Sequence, residues 1–81
     1  MKIELDPSER ELILKYGYPS PELQLQLKDL SNSERPETVT FSKIDINFVT
    51  GDLSRSMNHG EVPTGLIDEV DALCARLEVY L

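Results

Sequence analysis

With 81 residues, one cysteine, one histidine, no tryptophan and a formal net charge of −7 from fifteen acidic against eight basic side chains, the chain has room for one domain, residues 1–81, with a core of Leu, Ile and Val. A lone cysteine excludes an internal disulfide framework and a cysteine-based zinc site, and it points to a reducing compartment. The acidic balance argues against direct nucleic-acid binding, which takes clustered Lys and Arg, and no apolar run approaches the ~20 residues that span a bilayer.

Lys2 to Leu5 alternate with Ile3 and Leu5 on one side, which predicts a short strand. No apolar signal core is present in MKIELDPSER, so a cytoplasmic protein without a membrane association is expected. Asp6-Pro7-Ser8-Glu9 is a helix start, with Asp6 as N-cap, Pro7 at the first helical position and Glu9 completing a capping box. The helix is predicted to run to about Tyr16, with Leu12, Ile13 and Tyr16 inward, Leu14 to the side and Gly17 as the stop. Tyr18-Pro19-Ser20-Pro21 is a stiff turn. Ser20 caps a second helix, from Pro21 to about Leu30, that buries Leu23, Leu27 and Leu30 and sets Leu25 apart; the two helices form an αα-hairpin.

Residues 31–36 are polar throughout and predict the most mobile loop. Glu37 to Phe41 then alternates with β-branched and aromatic residues. Pairing with Ile3–Leu5 as a two-stranded ribbon is expected, and so marginal a ribbon must rest on helices; another subunit is the alternative pairing partner.

Residues 42–60 carry the clearest signals. Ser42 and Asp45 make a capping box, Phe41 and Ile46 a hydrophobic staple, and Gly60 a left-handed stop. Ile46, Val49, Leu53 and Met57 form a stripe that includes Thr50. Ile44 and Phe48 project to the other side, so the first half of this helix is expected to lie between two neighbours. Gly51 costs about 1 kcal/mol in a helix interior and implies a close approach or a break. Ile44, Ile46 and Phe48 also alternate at period two, a competing strand over 43–49, but cap, staple and stripe together favour the helix.

A last helix is predicted from about Gly65 to the end. Leu66, Val70, Leu73, Leu77 and Tyr80 form its stripe, Ile67, Cys74 and Leu81 flank it, and Val79 lies outside. Val79-Tyr80-Leu81 reads as docked in the core, as part of a subunit interface, or as the cut end of a longer chain. The expected fold is therefore mainly α with a minor β ribbon, in one small bundle.

No phosphate loop, dinucleotide fingerprint or calcium loop occurs, and one histidine cannot build a multi-histidine metal site, so no cofactor, metal or catalytic residue is expected. Asp52, Arg55 and His59 share one helical arc. Read as chemistry, Asp52 orients His59 as a general base and Arg55 binds an anion, which needs a convergent pocket. Read as local stabilisation, they are ion pairs and a cation at a helix C-terminus. Tyr18 beside Pro19 is a candidate contact anchor, against the alternative that Tyr16 and Tyr18 pack under their turn. Cys74 falls in an apolar stripe as a core residue, and Asp68, Glu69 and Asp71 complement a helix N-terminus. The leading expectation is a non-catalytic protein-interaction or regulatory module, homodimeric through the last helix in one form, with contacts drawn from Asp52, Arg55, His59, Tyr18, Val79, Tyr80 and Leu81. The alternatives are an acidic inhibitor or nucleic-acid mimic that binds a basic protein, and a small enzyme or ligand-binding protein using the Asp52/Arg55/His59 face.

Overall fold

Three helices start on side chains that take over their free amides. The computed structural model describes residues 1–81: strand β1 (Lys2–Leu5), helices α1 (Pro7–Tyr16) and α2 (Pro21–Asp29), strand β2 (Glu37–Thr40), helix α3 (Lys43–Asn58), a 3-10 turn at Thr64–Leu66 and helix α4 (Ile67–Glu78). Asp6 accepts from the Glu9 amide, Ser20 from Leu23 and Ser42 from Asp45, and the capping boxes of α1 and α3 are both closed. The chain is mainly α with a minor antiparallel ribbon, and residues 43–49 are helical, not a strand.

The ribbon pairs Ile3 with Val39 and Leu5 with Glu37. Period-two alternation puts Ile3, Leu5 and Val39 on the buried side. On the outer edge of β2 the Gln26 side chain imitates a strand: its amide donates to the Thr40 carbonyl and its carbonyl accepts from the Thr40 amide, both at 2.9 Å. That closes an edge otherwise open to another chain.

Sixteen buried apolar residues form one cluster, to which α3 contributes Ile46, Val49 and Leu53 and α4 contributes Val70, Leu73, Cys74 and Leu77. Helix α4 runs back along α3, with the Cys74 Sγ 3.6 Å from the Thr50 carbonyl and Arg76 donating to the Glu4 carbonyl at 2.6 Å and to the Glu9 carboxylate. The Ser56 hydroxyl donates to the Tyr16 carbonyl at 2.9 Å, fastening α3 to the end of α1. Gly17 is needed for closeness, since a Cβ there would stand 2.9 Å from the Ile13 carbonyl oxygen, and Tyr18 next to it takes the left-handed conformation at φ 45°.

Three expectations are corrected. Ile44 and Phe48 are not held between two neighbours; they are 65% and 66% exposed, because α1 and α4 both pack on the Ile46–Leu53 side and nothing covers the opposite one. Gly51 marks neither a close approach nor a break, since α3 is continuous and a Cβ there would meet nothing within 4 Å. The last helix stops at Glu78 and does not run to the end, so Tyr80, expected in its stripe, is 41% exposed and Leu81 beside it is exposed too, while Val79 lies outside the core as expected.

The loop 31–36 is bonded through its carbonyls to a buried side chain. Arg10, only 3% exposed, donates from Nη1 to the carbonyls of Leu5 (2.9 Å) and Arg35 (3.0 Å), and from Nη2 to those of Leu30 (3.4 Å) and Ser33 (2.8 Å). One guanidinium therefore joins the end of β1, the end of α2 and the loop. A buried acceptor left unpaired costs about 1–3 kcal/mol. Arg10→Met is expected to lower the unfolding free energy by about 2–4 kcal/mol, after partial rescue by water, in urea titrations, and to speed amide exchange at 31–36 more than in α3.

Candidate functional site

Helix α3 has two faces of different character. At 100° per residue, Ile46, Val49, Leu53 and Ser56 point inward, and Ile44, Phe48, Gly51 and Arg55 point away from them. The N-terminal end of this outward face is apolar and its C-terminal end is charged. Asp52, at the rim, accepts from the Arg55 guanidinium at 3.0 Å; the Asp52 side chain is mostly covered and Arg55 is open to solvent. His59 caps the helix end, exposed, with its amide bonded to the Arg55 carbonyl at 2.9 Å.

Tyr18 reaches the same end of α3 from the α1–α2 turn. Its ring is exposed, and its hydroxyl donates to the Glu61 carboxylate at 2.9 Å. That hydrogen bond raises the Tyr18 pKa above its ordinary value of 10.0, helped by the charges of Glu61 and Asp52. Asp52 thus stands near both Arg55 and Tyr18. Tyr16 is the ring that packs against the core. Val79, Tyr80 and Leu81 lie elsewhere: because α4 runs antiparallel to α3, they stand beyond the last turn of α4, at the end of the molecule away from His59.

The molecule's one cleft, about 380 Å³, lies between α1 and α2 and is lined by Pro7, Arg10, Glu11, Leu14, Leu27 and Ser31. None of Asp52, Arg55 and His59 borders it. Its guanidinium is committed to four carbonyls, and Glu11 pairs with Lys15 at 2.9 Å. No three His, Cys, Asp or Glu side chains converge in the arrangement a metal ion requires, and no helix is long and apolar enough to cross a membrane.

The surface residues missed in the sequence are Ile44, Phe48 and Gly51. Their signal was present, since all three sit opposite the Ile46–Leu53 stripe; what was lacking was the number of neighbours α3 has. Compared with protein-family models, with curated proteins and with solved structures, the chain gives no significant match.

Cys74 is buried against α3, with its Sγ 3.2 Å from a Glu78 carboxylate oxygen and 3.7 Å from the Ser54 hydroxyl. Burial, and then the Glu78 carboxylate, push its thiol above the ordinary value of 9.0. The neutral thiol is the form the fold favours, the opposite of what an activated nucleophile needs. A raised acid pKa contributes stability that is complete below the unfolded value and is lost as pH climbs through the folded one. Stability is therefore expected to fall from about pH 9 upward. Cys74→Ala removes the first part of that fall and leaves the part above pH 10 that comes from Tyr18; thermal midpoints measured across alkaline pH check this.

Proposed function

We propose that this chain is a non-catalytic protein-interaction module whose contact surface is the outward face of α3. The observation that carries the reading is the exposure of Ile44 and Phe48 on a helix whose inward face already completes the core. Burying each of two such side chains contributes about 1.5–3 kcal/mol, so leaving both in water is a substantial concession for a domain this small. Exposed apolar patches rimmed by polar groups are characteristic of contact surfaces, and Phe beside Arg is a usual composition for their centres. Phe48 with Arg55 and Asp52 has that composition.

The reading moves self-association off the last helix. Val70, Leu73, Cys74 and Leu77 are used within the chain's own core, and of the large apolar residues there only Ile67, Val79, Tyr80 and Leu81 are exposed. Tyr18, held by Glu61 beside Asp52, extends the contact surface around the charged end of α3.

The test is capture from lysate of the source organism on tagged protein, washed in parallel at low and high salt, with Phe48→Ser as the paired bait. A bound protein that survives high salt and is retained at least about tenfold less by Phe48→Ser is the expected result. A bound protein lost at high salt and indifferent to Phe48 replaces this reading with that of an acidic inhibitor. A monomeric bait that retains nothing overturns it.

A further inference from the structure

We propose that the cleft between α1 and α2 binds a small monocarboxylate with an apolar body of about six carbons. The proposal goes beyond the interaction-module reading and concerns a different face of the molecule. Its starting point is the last free donor of Arg10. A guanidinium has five N–H donors, and the four on Nη1 and Nη2 are matched by the carbonyls of Leu5, Arg35, Leu30 and Ser33. The Nε–H has no acceptor within the chain. Nor is it sealed in the core, because every fully buried side-chain nitrogen and oxygen is hydrogen-bonded. Arg10 is 3% exposed and borders the cleft, which is therefore where this donor meets solvent.

The charge of Arg10 sets the sign of the ligand. None of the chain's ion pairs includes it, so within the chain only carbonyl dipoles balance it. A ligand carboxylate adds a charge-assisted hydrogen bond, roughly twice as strong as one to a neutral acceptor. The one carboxylate already on the cleft, Glu11, is exposed and paired with Lys15 at 2.9 Å, which offsets its repulsion. A second donor is the Ser31 hydroxyl, exposed on the same cleft. One N–H and one hydroxyl match the two oxygens of a carboxylate and fall short of what the three oxygens of a phosphate group require.

The rest of the lining calls for hydrocarbon. Pro7 and Leu14 are half-buried and Leu27 is buried, and none of these side chains has a hydrogen-bonding group for a further polar atom of the ligand. A volume of about 380 Å³ lies at the small end of the range of ligand sites. An acceptor of negative charge on a short apolar chain fits both halves of this lining. A cation meets the Arg10 charge, and a neutral alcohol leaves that charge with carbonyl dipoles alone.

Titration of the isotope-labelled full chain with hexanoate, followed by NMR, tests the proposal. The Arg10 Nε–H resonance and the backbone amides of Leu14 and Ser31 are expected to shift together with a Kd at or below about 1 mM, while the amides of Ile44 and Phe48 stay in place. Hexanol and hexylamine are expected to bind at least about tenfold more weakly. Ser31→Asp, which sets a carboxylate on the exposed rim, is expected to keep its helical circular dichroism and thermal midpoint and to bind hexanoate at least about tenfold more weakly, whereas Ser31→Asn stays within about threefold of the wild type. The proposal is overturned by an Arg10 Nε–H resonance that shows no saturable shift up to about 20 mM hexanoate, by hexanol binding as tightly as hexanoate, or by a Ser31→Asp chain that binds like the wild type. The interaction-module reading is judged separately, by the effect of Phe48→Ser on protein capture.

Discussion

The Arg10 guanidinium, nearly closed off from water and bonded to the carbonyls of Leu5, Leu30, Ser33 and Arg35, holds together the part of this protein that apolar contacts leave open. Residues 31–36 contain no large apolar side chain, so hydrophobic burial gives the loop no reason to adopt one path. Arginine provides that reason because its donors form a planar fork that serves several acceptors at once, which a lysine ammonium does not match in geometry. No carboxylate accompanies it; the carbonyl dipoles stand in for a counter-charge, which makes the site intolerant of losing either side. The consequence reaches the ribbon. Leu5 ends β1 and Arg35 stands two residues before Glu37, so the same guanidinium lies beside the Leu5–Glu37 pair and brings β2 into place against β1.

From that anchored ribbon the chain enters α3 through Phe41 and the Ser42 cap. The Ser20 hydroxyl, which starts α2, also donates to Asp45 at 3.1 Å, so the starts of the two helices are locked together. Helix α3 is then supported on one side by α1 and α4. A small domain has few elements with which to surround a central helix. Here the uncovered side carries Ile44, Phe48, Gly51 and Arg55, none of which the chain's own packing uses. Tyr18 adds a local strain, with a left-handed backbone at a non-glycine residue.

Most of the local architecture was legible in the sequence because caps and turns act over three or four residues. Asp6-Pro7-Ser8-Glu9, Ser20-Pro21 and Ser42 with Asp45 name their own helix starts, and the alternations around Ile3 and Val39 name the buried side of the ribbon. Arg10 was not legible. A charged residue on the first turn of an amphipathic helix reads as solvated, and its burial depends on carbonyls up to 25 residues away. Ile44 and Phe48 failed for a different reason: periodicity shows which residues share a face, but it does not count the neighbours available to cover that face. The stripe drawn through Tyr80 overran the helix for a third reason, since apolar spacing continued past Glu78 while the helix did not.

Of the candidate contact residues, Asp52 and Arg55 were legible as a pair from their spacing, because side chains three apart on a helix are neighbours on its surface. That Tyr18 joins the same end, through Glu61, depends on how the α1–α2 turn is set against α3. By itself the sequence determined the elements, their boundaries to within a turn and most of the apolar residues each turns inward, since these follow from backbone amides, proline, glycine and helical or strand period. Only the tertiary structure decided which faces were left over, because burial is a property of how many elements surround a helix and no local pattern contains that number.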